Sequence, residues 1–139
     1  MDVLLERRRR LARVGTGAVF ARYWLPLLAY ITLIFTLSAQ PGLHPPVSFA
    51  NSDKLAHMLE YGGLGLLLAR ALRTVFPSRS WLFTTMLALA LGLCIGAGDE
   101  LFQSLIPGRD STVFDWLADG IGLVFAQLAF VAWARDWEA

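Results

Sequence analysis

Cysteine is almost absent: Cys94 is the only one in 139 residues, and it sits inside an apolar run. That excludes a disulfide framework and a zinc site built from clustered thiolates. Charge is scarce as well, at 17% of residues, while hydrophobic residues reach 56% and mean hydropathy is +0.54. A soluble domain of this size does not carry that composition; a polytopic membrane protein does. Lysine is reduced to Lys54 against eleven arginines, a bias that points to a GC-rich bacterial genome. Also missing are a phosphate-binding glycine loop, a nucleophile motif and an H-x-x-x-H pair, the usual sequence marks of catalysis.

What is present is four apolar windows, each near the roughly 20 residues that span a bilayer as a helix. They run from Tyr23 to Ala39, Asp53 to Phe76, Trp81 to Leu105 and Val113 to Trp133. The links are short: Gln40 to Ser52, rich in proline, Pro77 to Ser80, and Ser104 to Thr112 with a Pro107-Gly108-Arg109 turn. Short links predict an all-α, up-down four-helix membrane bundle over residues 23–139, preceded by a basic segment over 1–22. Arg7, Arg8, Arg9, Arg10, Arg13 and Arg22 precede the first window, Arg70, Arg73 and Arg79 flank the second link, and Arg135 ends the fourth. Only Lys54 and Arg109 lie on the opposite side, so the positive-inside rule predicts both termini in the cytoplasm. Trp24, Trp81, Trp133 and Trp137 then fall at the inner interface and Trp116 at the outer one. A basic cluster beside an apolar span reads as a topology determinant in preference to a nucleic-acid contact. A cleaved leader ending near Ser38 and Gln40 is the alternative for the first window, and it would leave three spans.

The acids are out of place. Glu60, Asp99, Glu100, Asp115 and Asp119 lie inside these windows, where an ionisable group costs at least ~2.5 kcal/mol and marks a bundle interior or a wet cavity. Counting 1.5 Å per residue, Glu60, Asp99 and Asp119 all reach about 10 Å from the outer ends of their helices. Asp53, His57, Glu60 and Tyr61 share one helical stripe, Asp99 pairs with Gln103, and Asp115 pairs with Asp119. Lys54 and Arg109 stand at the rim, where Arg109 is placed to bridge to Asp99, Asp110 or Asp115. Two acids have bland readings: Thr112 and Asp115 form a capping box, and Asp53 can cap the second helix. His57 is an interior hydrogen-bonded residue or, given the acids around it, a metal ligand or general base with Glu60 and Asp119. His44 reads as exposed. Glycines line the three later helices, with Gly92-x-x-x-Gly96 as a helix-contact motif that serves packing within the chain or dimerisation.

Taken together, Asp53-Lys54-x-x-His57-x-x-x-Tyr61-Gly62, Asp99-Glu100-x-x-Gln103, Pro107-Gly108-Arg109 and Asp115-x-x-x-Asp119-x-x-Gly122 resemble the VanZ-like family over residues 52–128. The resemblance implies a small integral membrane protein whose polar set includes Asp53, Lys54, His57, Tyr61, Glu100, Gln103, Arg109, Asp115 and Asp119. The family's namesake is linked to teicoplanin resistance; the resemblance implies no reaction.

Three functions fit these residues. The first is a non-catalytic protein of the bacterial inner membrane whose outward acidic pocket binds a lipid-linked or peptidoglycan-related head group, Lys54 and Arg109 meeting phosphate. The second is a membrane enzyme in which Glu60, Asp99, Glu100, Asp115, Asp119 and His57 hold Mg²⁺, Ca²⁺ or Mn²⁺, ions suited to carboxylate-rich sites. The third is a structural bundle whose buried pairs set helix register. Membrane lipids are the expected partners, with no nucleic acid.

Overall fold

The computed structural model describes residues 15–42, 51–109 and 111–136. Four helices account for most of them: α1 (Thr16–Ser38), α2 (Ser52–Val75), α3 (Trp81–Gln103) and α4 (Val113–Asp136). The regular structure of the described residues is all helical, as the apolar runs of membrane length predict. Three helices, α1, α3 and the Val113–Ala134 stretch of α4, are long and apolar enough to cross a membrane. α2 has comparable length but carries Asp53, Lys54, Glu60, Arg70 and Arg73. It touches all three others, most extensively α4. Arg7, Arg8, Arg9, Arg10, Arg13, His44, Asp110 and Trp137 lie outside the described residues.

α1 begins at Thr16, not at Tyr23 where its apolar window opens. Gly17 and Arg22 interrupt the hydropathy without interrupting the helix. The backbone passes Phe20–Trp24 as a π turn just ahead of Pro26. A proline ring presses on the carbonyl four residues back, here that of Arg22, and the wider π turn accommodates it.

The connections are fixed by their own chemistry. Ser80 caps α3, its Oγ accepting from the Phe83 amide at 3.2 Å. At Ile106–Arg109 the Arg109 amide donates to the Ile106 carbonyl at 3.2 Å, with Gly108 at φ +79°. Proline at the second position and a left-handed glycine at the third make this a type II turn.

Burial runs opposite to that of a soluble bundle. Leu82, Leu101 and Phe125 are each more than 60% exposed, while Asp99 and Asp119 are 1% and 0% exposed. Apolar outside and ionisable inside is the distribution expected where lipid is the solvent. Along α2, a core of Leu64, Leu68 and Leu72 with Ala88 and Leu123 separates Tyr61 from Arg73.

The glycine stripes serve contacts within the chain. A Cβ on Gly122 would run into the carbonyl of Met58, and one on Gly92 would meet the Leu123 side chain. Gly96 in turn lies against Asp119, Tyr61 and Trp116. Small residues thus let α2 and α3 approach α4 closely enough for polar side chains to meet between them.

Two residues read as interface markers have internal roles. Arg73 is 2% exposed. It donates to the carbonyls of Arg79 at 2.8 Å and Pro77 at 3.4 Å, and its guanidinium lies 4.0 Å from the Trp81 ring centroid. Trp116 is half-buried and its indole N–H reaches across to the Leu93 carbonyl at 3.0 Å.

Candidate functional site

Helical spacing brings the polar residues to one end of the bundle. α2 presents Lys54, His57 and Tyr61, one turn apart in succession. α3 presents Asp99, Glu100 and Gln103 from its last turn, and α4 presents Asp115 and Asp119 from its first two. His57 Nδ1 stands 3.0 Å from Asp119 Oδ1 and 3.7 Å from Glu100 Oε1. Donor atoms of His57, Glu100 and Asp119 all lie within 4.8 Å of one another.

Exposure falls steadily along this line. The side chains of Asp53, Lys54, His57, Glu100 and Asp119 are 53%, 32%, 15%, 10% and 0% exposed in that order. The cluster therefore has a wet mouth and a dry floor.

Around Lys54 the acids are satisfied. Asp115 accepts from Lys54 Nζ at 3.1 Å with one oxygen and from the Thr112 hydroxyl at 2.6 Å and amide at 3.2 Å with the other. The Asp115 amide donates back to Thr112 Oγ1 at 3.3 Å, completing the expected capping box. Asp115 is therefore held as a helix cap and ion pair. Asp53 does not cap α2: Asn51 occupies that position in the left-handed conformation (φ 64°), and no side chain bonds the helix end. Asparagine tolerates that backbone, so the first turn leaves Asp53 to pair with Lys54 at 2.8 Å.

Deeper in, satisfaction is incomplete. Gln103 Nε2 donates to Asp99 Oδ2 at 3.0 Å and to Ser38 Oγ at 3.1 Å, tying α1 to α3. Ser111 Oγ donates to Glu100 Oε2 at 2.7 Å. Yet Asp99 Oδ1, Glu100 Oε1, Asp119 Oδ2 and the Tyr61 hydroxyl are buried with no hydrogen-bond partner among the described residues. Leaving one buried polar group unpaired costs about 1–3 kcal/mol, and more if it is charged. Two like charges about 4 Å apart add repulsion of about 4 kcal/mol at an effective dielectric near 20. Four such atoms at one place call for protons, a cation or a ligand rich in donors.

The sequence pattern names Glu60 as the third member of a metal set with His57 and Asp119; Glu100 takes that place. Glu60 is one turn further along α2 than His57 and half-buried, and its carbonyl accepts from the Tyr30 hydroxyl at 3.0 Å. Matching depths along two helices brought Glu60 level with Asp119, but rotation about the helix axis decides which acid faces His57. Arg109 is half-buried. Lys54 pairs with Asp115 at 3.1 Å, where the pattern offered Arg109 as a bridge to Asp99, Asp110 or Asp115.

Ser38, Ser111 and Tyr30 were not expected at the site. Ser38 is the last residue of α1 and 3% exposed, a polar residue at the level of Gln103. Its place at the end of an apolar window was a usable signal. Ser111 had none, because a loop serine is uninformative until the Pro107-Gly108 turn folds it back.

No family model matches the chain, and neither a curated protein nor a solved structure matches it, so the geometry of the site carries the functional reading.

Proposed function

We propose that this is a VanZ-like, four-span protein of the bacterial inner membrane whose outward-facing acidic pocket binds the head group of a lipid-linked or peptidoglycan-related envelope precursor. The observation that carries the reading is the set of buried carboxylate oxygens on Asp99, Glu100 and Asp119 without donors. A head group bearing amines or sugar hydroxyls supplies donors where the open carboxylate oxygens outnumber the one open donor among the described residues there, the Tyr61 hydroxyl. The graded exposure from Asp53 to Asp119 supports entry from the rim. Lys54 and Arg109 are the two cations assigned to a phosphate in this reading.

α2 is the fourth crossing in this reading: Arg73 is buried and His57 and Glu60 are half-buried, while the exposed Asp53 and Arg70 lie towards its two ends. Arginines at both termini and around the 76–80 loop support a cytoplasmic location for that side.

Native mass spectrometry of gently extracted protein tests the binding claim. Wild type should retain one lipid class, and Asp99→Asn should lose it while remaining folded. A bare polypeptide, or indiscriminate lipid in both, removes the head-group reading. A reporter fused after Arg109 should read as external, and one placed in the 76–80 loop as cytoplasmic. The reverse assignment overturns the outward pocket.

A further inference from the structure

We propose that His57, Glu100 and Asp119 form a binding site for one divalent transition-metal ion, zinc or manganese, in preference to magnesium or calcium. This goes beyond head-group binding: the ion would take Glu100 Oε1 and Asp119 Oδ1, leaving Asp99 Oδ1 and Asp119 Oδ2 open to a head group.

Three helices contribute one donor each. The His57 Nδ1 separations of 3.0 Å to Asp119 Oδ1 and 3.7 Å to Glu100 Oε1 bracket the ~3.4 Å between ligands of a tetrahedral ion with bonds of about 2.1 Å. The third pair, Glu100 and Asp119, lies within 4.8 Å, and side-chain movement that brings it to about 3.4 Å would close the set. Glu100 Oε1 is the atom that argues for a ligand: it is buried, unpartnered and aimed at His57. A proton on His57 Nδ1 bonds Asp119 at 3.0 Å but leaves Glu100 at 3.7 Å, beyond hydrogen-bond range. A cation at the centre satisfies both. Ser111 already fixes the other Glu100 oxygen at 2.7 Å, the kind of outer contact that orients a metal ligand.

The donor set selects the ion. Magnesium and calcium take all-oxygen shells, whereas one imidazole with two carboxylates suits the harder end of the transition series and zinc. Three protein ligands leave at least one coordination position for water or for an oxygen of a bound molecule.

The test uses the full chain in detergent, stripped with chelator, then titrated with Zn²⁺ and analysed for metal content. One equivalent should bind wild type and Glu60→Gln alike. Affinity should fall at least tenfold in His57→Ala and in Glu100→Gln. Failure of wild type to bind overturns the site, as does unchanged binding in His57→Ala, or equal loss in Glu60→Gln. Asp119 is wholly buried and its variants are at risk of misfolding, so Co²⁺ replaces mutation there. Wild type loaded with Co²⁺ should develop the visible bands of a four- or five-coordinate ion, and their absence counts against the site. Lipid retention by the metal-free protein, measured on the same preparation, separates loss of this site from loss of the head-group reading.

Discussion

At one end of α2, Arg73 is 2% exposed, its guanidinium bonded to the carbonyls of Arg79 and Pro77 and laid on Trp81. At the other end Asp99 and Asp119 are buried more deeply still and Glu100 somewhat less, and each keeps an oxygen without a donor. Both ends place charge where it is costly, but only the first uses it to close a loop. A buried charge engaged by neighbouring backbone carbonyls is a structural clamp. A group of like charges with open lone pairs is incomplete until something else arrives.

Substitutions should separate the two ends, beginning with the largest effect. Arg73→Ala should lower stability by about 3 kcal/mol, since it removes charge-assisted bonds and a cation–π contact. Thermal unfolding in detergent measures this, and retained lipid should not change. If retention falls while the melting temperature holds, the clamp assignment is wrong.

Asp99→Asn should act in the opposite sense. Removing one of several crowded negative charges should raise stability by about 1 kcal/mol, a few degrees in Tm, while abolishing lipid retention. A lowered Tm would make Asp99 a structural charge like Arg73 and erase the contrast between the ends.

Thr112→Ala breaks the capping box at the mouth and should cost about 1 kcal/mol without altering metal or lipid binding. Smaller still, Asp53→Asn removes one partner of an exposed ion pair and should change stability by less than about 0.5 kcal/mol. Binding lost in Asp53→Asn would extend the functional cluster to the rim.

Much of the frame was legible because it rests on local rules. The Pro107-Gly108 turn and the Thr112–Asp115 box follow from neighbours within a few residues and are found where expected, and three of the four apolar runs form helices long and apolar enough to cross a membrane. The start of α1 was misplaced because hydropathy fades at Gly17 and Arg22 while backbone hydrogen bonding continues through the π turn. Depth along a helix could likewise be counted from residue numbers, which brought Asp99, Glu60 and Asp119 to one level.

By itself, then, the sequence determined the helical class, the apolar exterior and the level at which acids collect, because periodicity and transfer energy act locally along the chain. Which acids face one another was decided by tertiary packing alone. Gly122 lets α4 close on α2 at Met58, and Gly96 leaves room on α3 for Asp119, and these two approaches set the rotation of each helix. One residue along a helix turns a side chain by about 100°. That angle separates an acid pointing at His57 from one beside it, and only the packed helices choose between them.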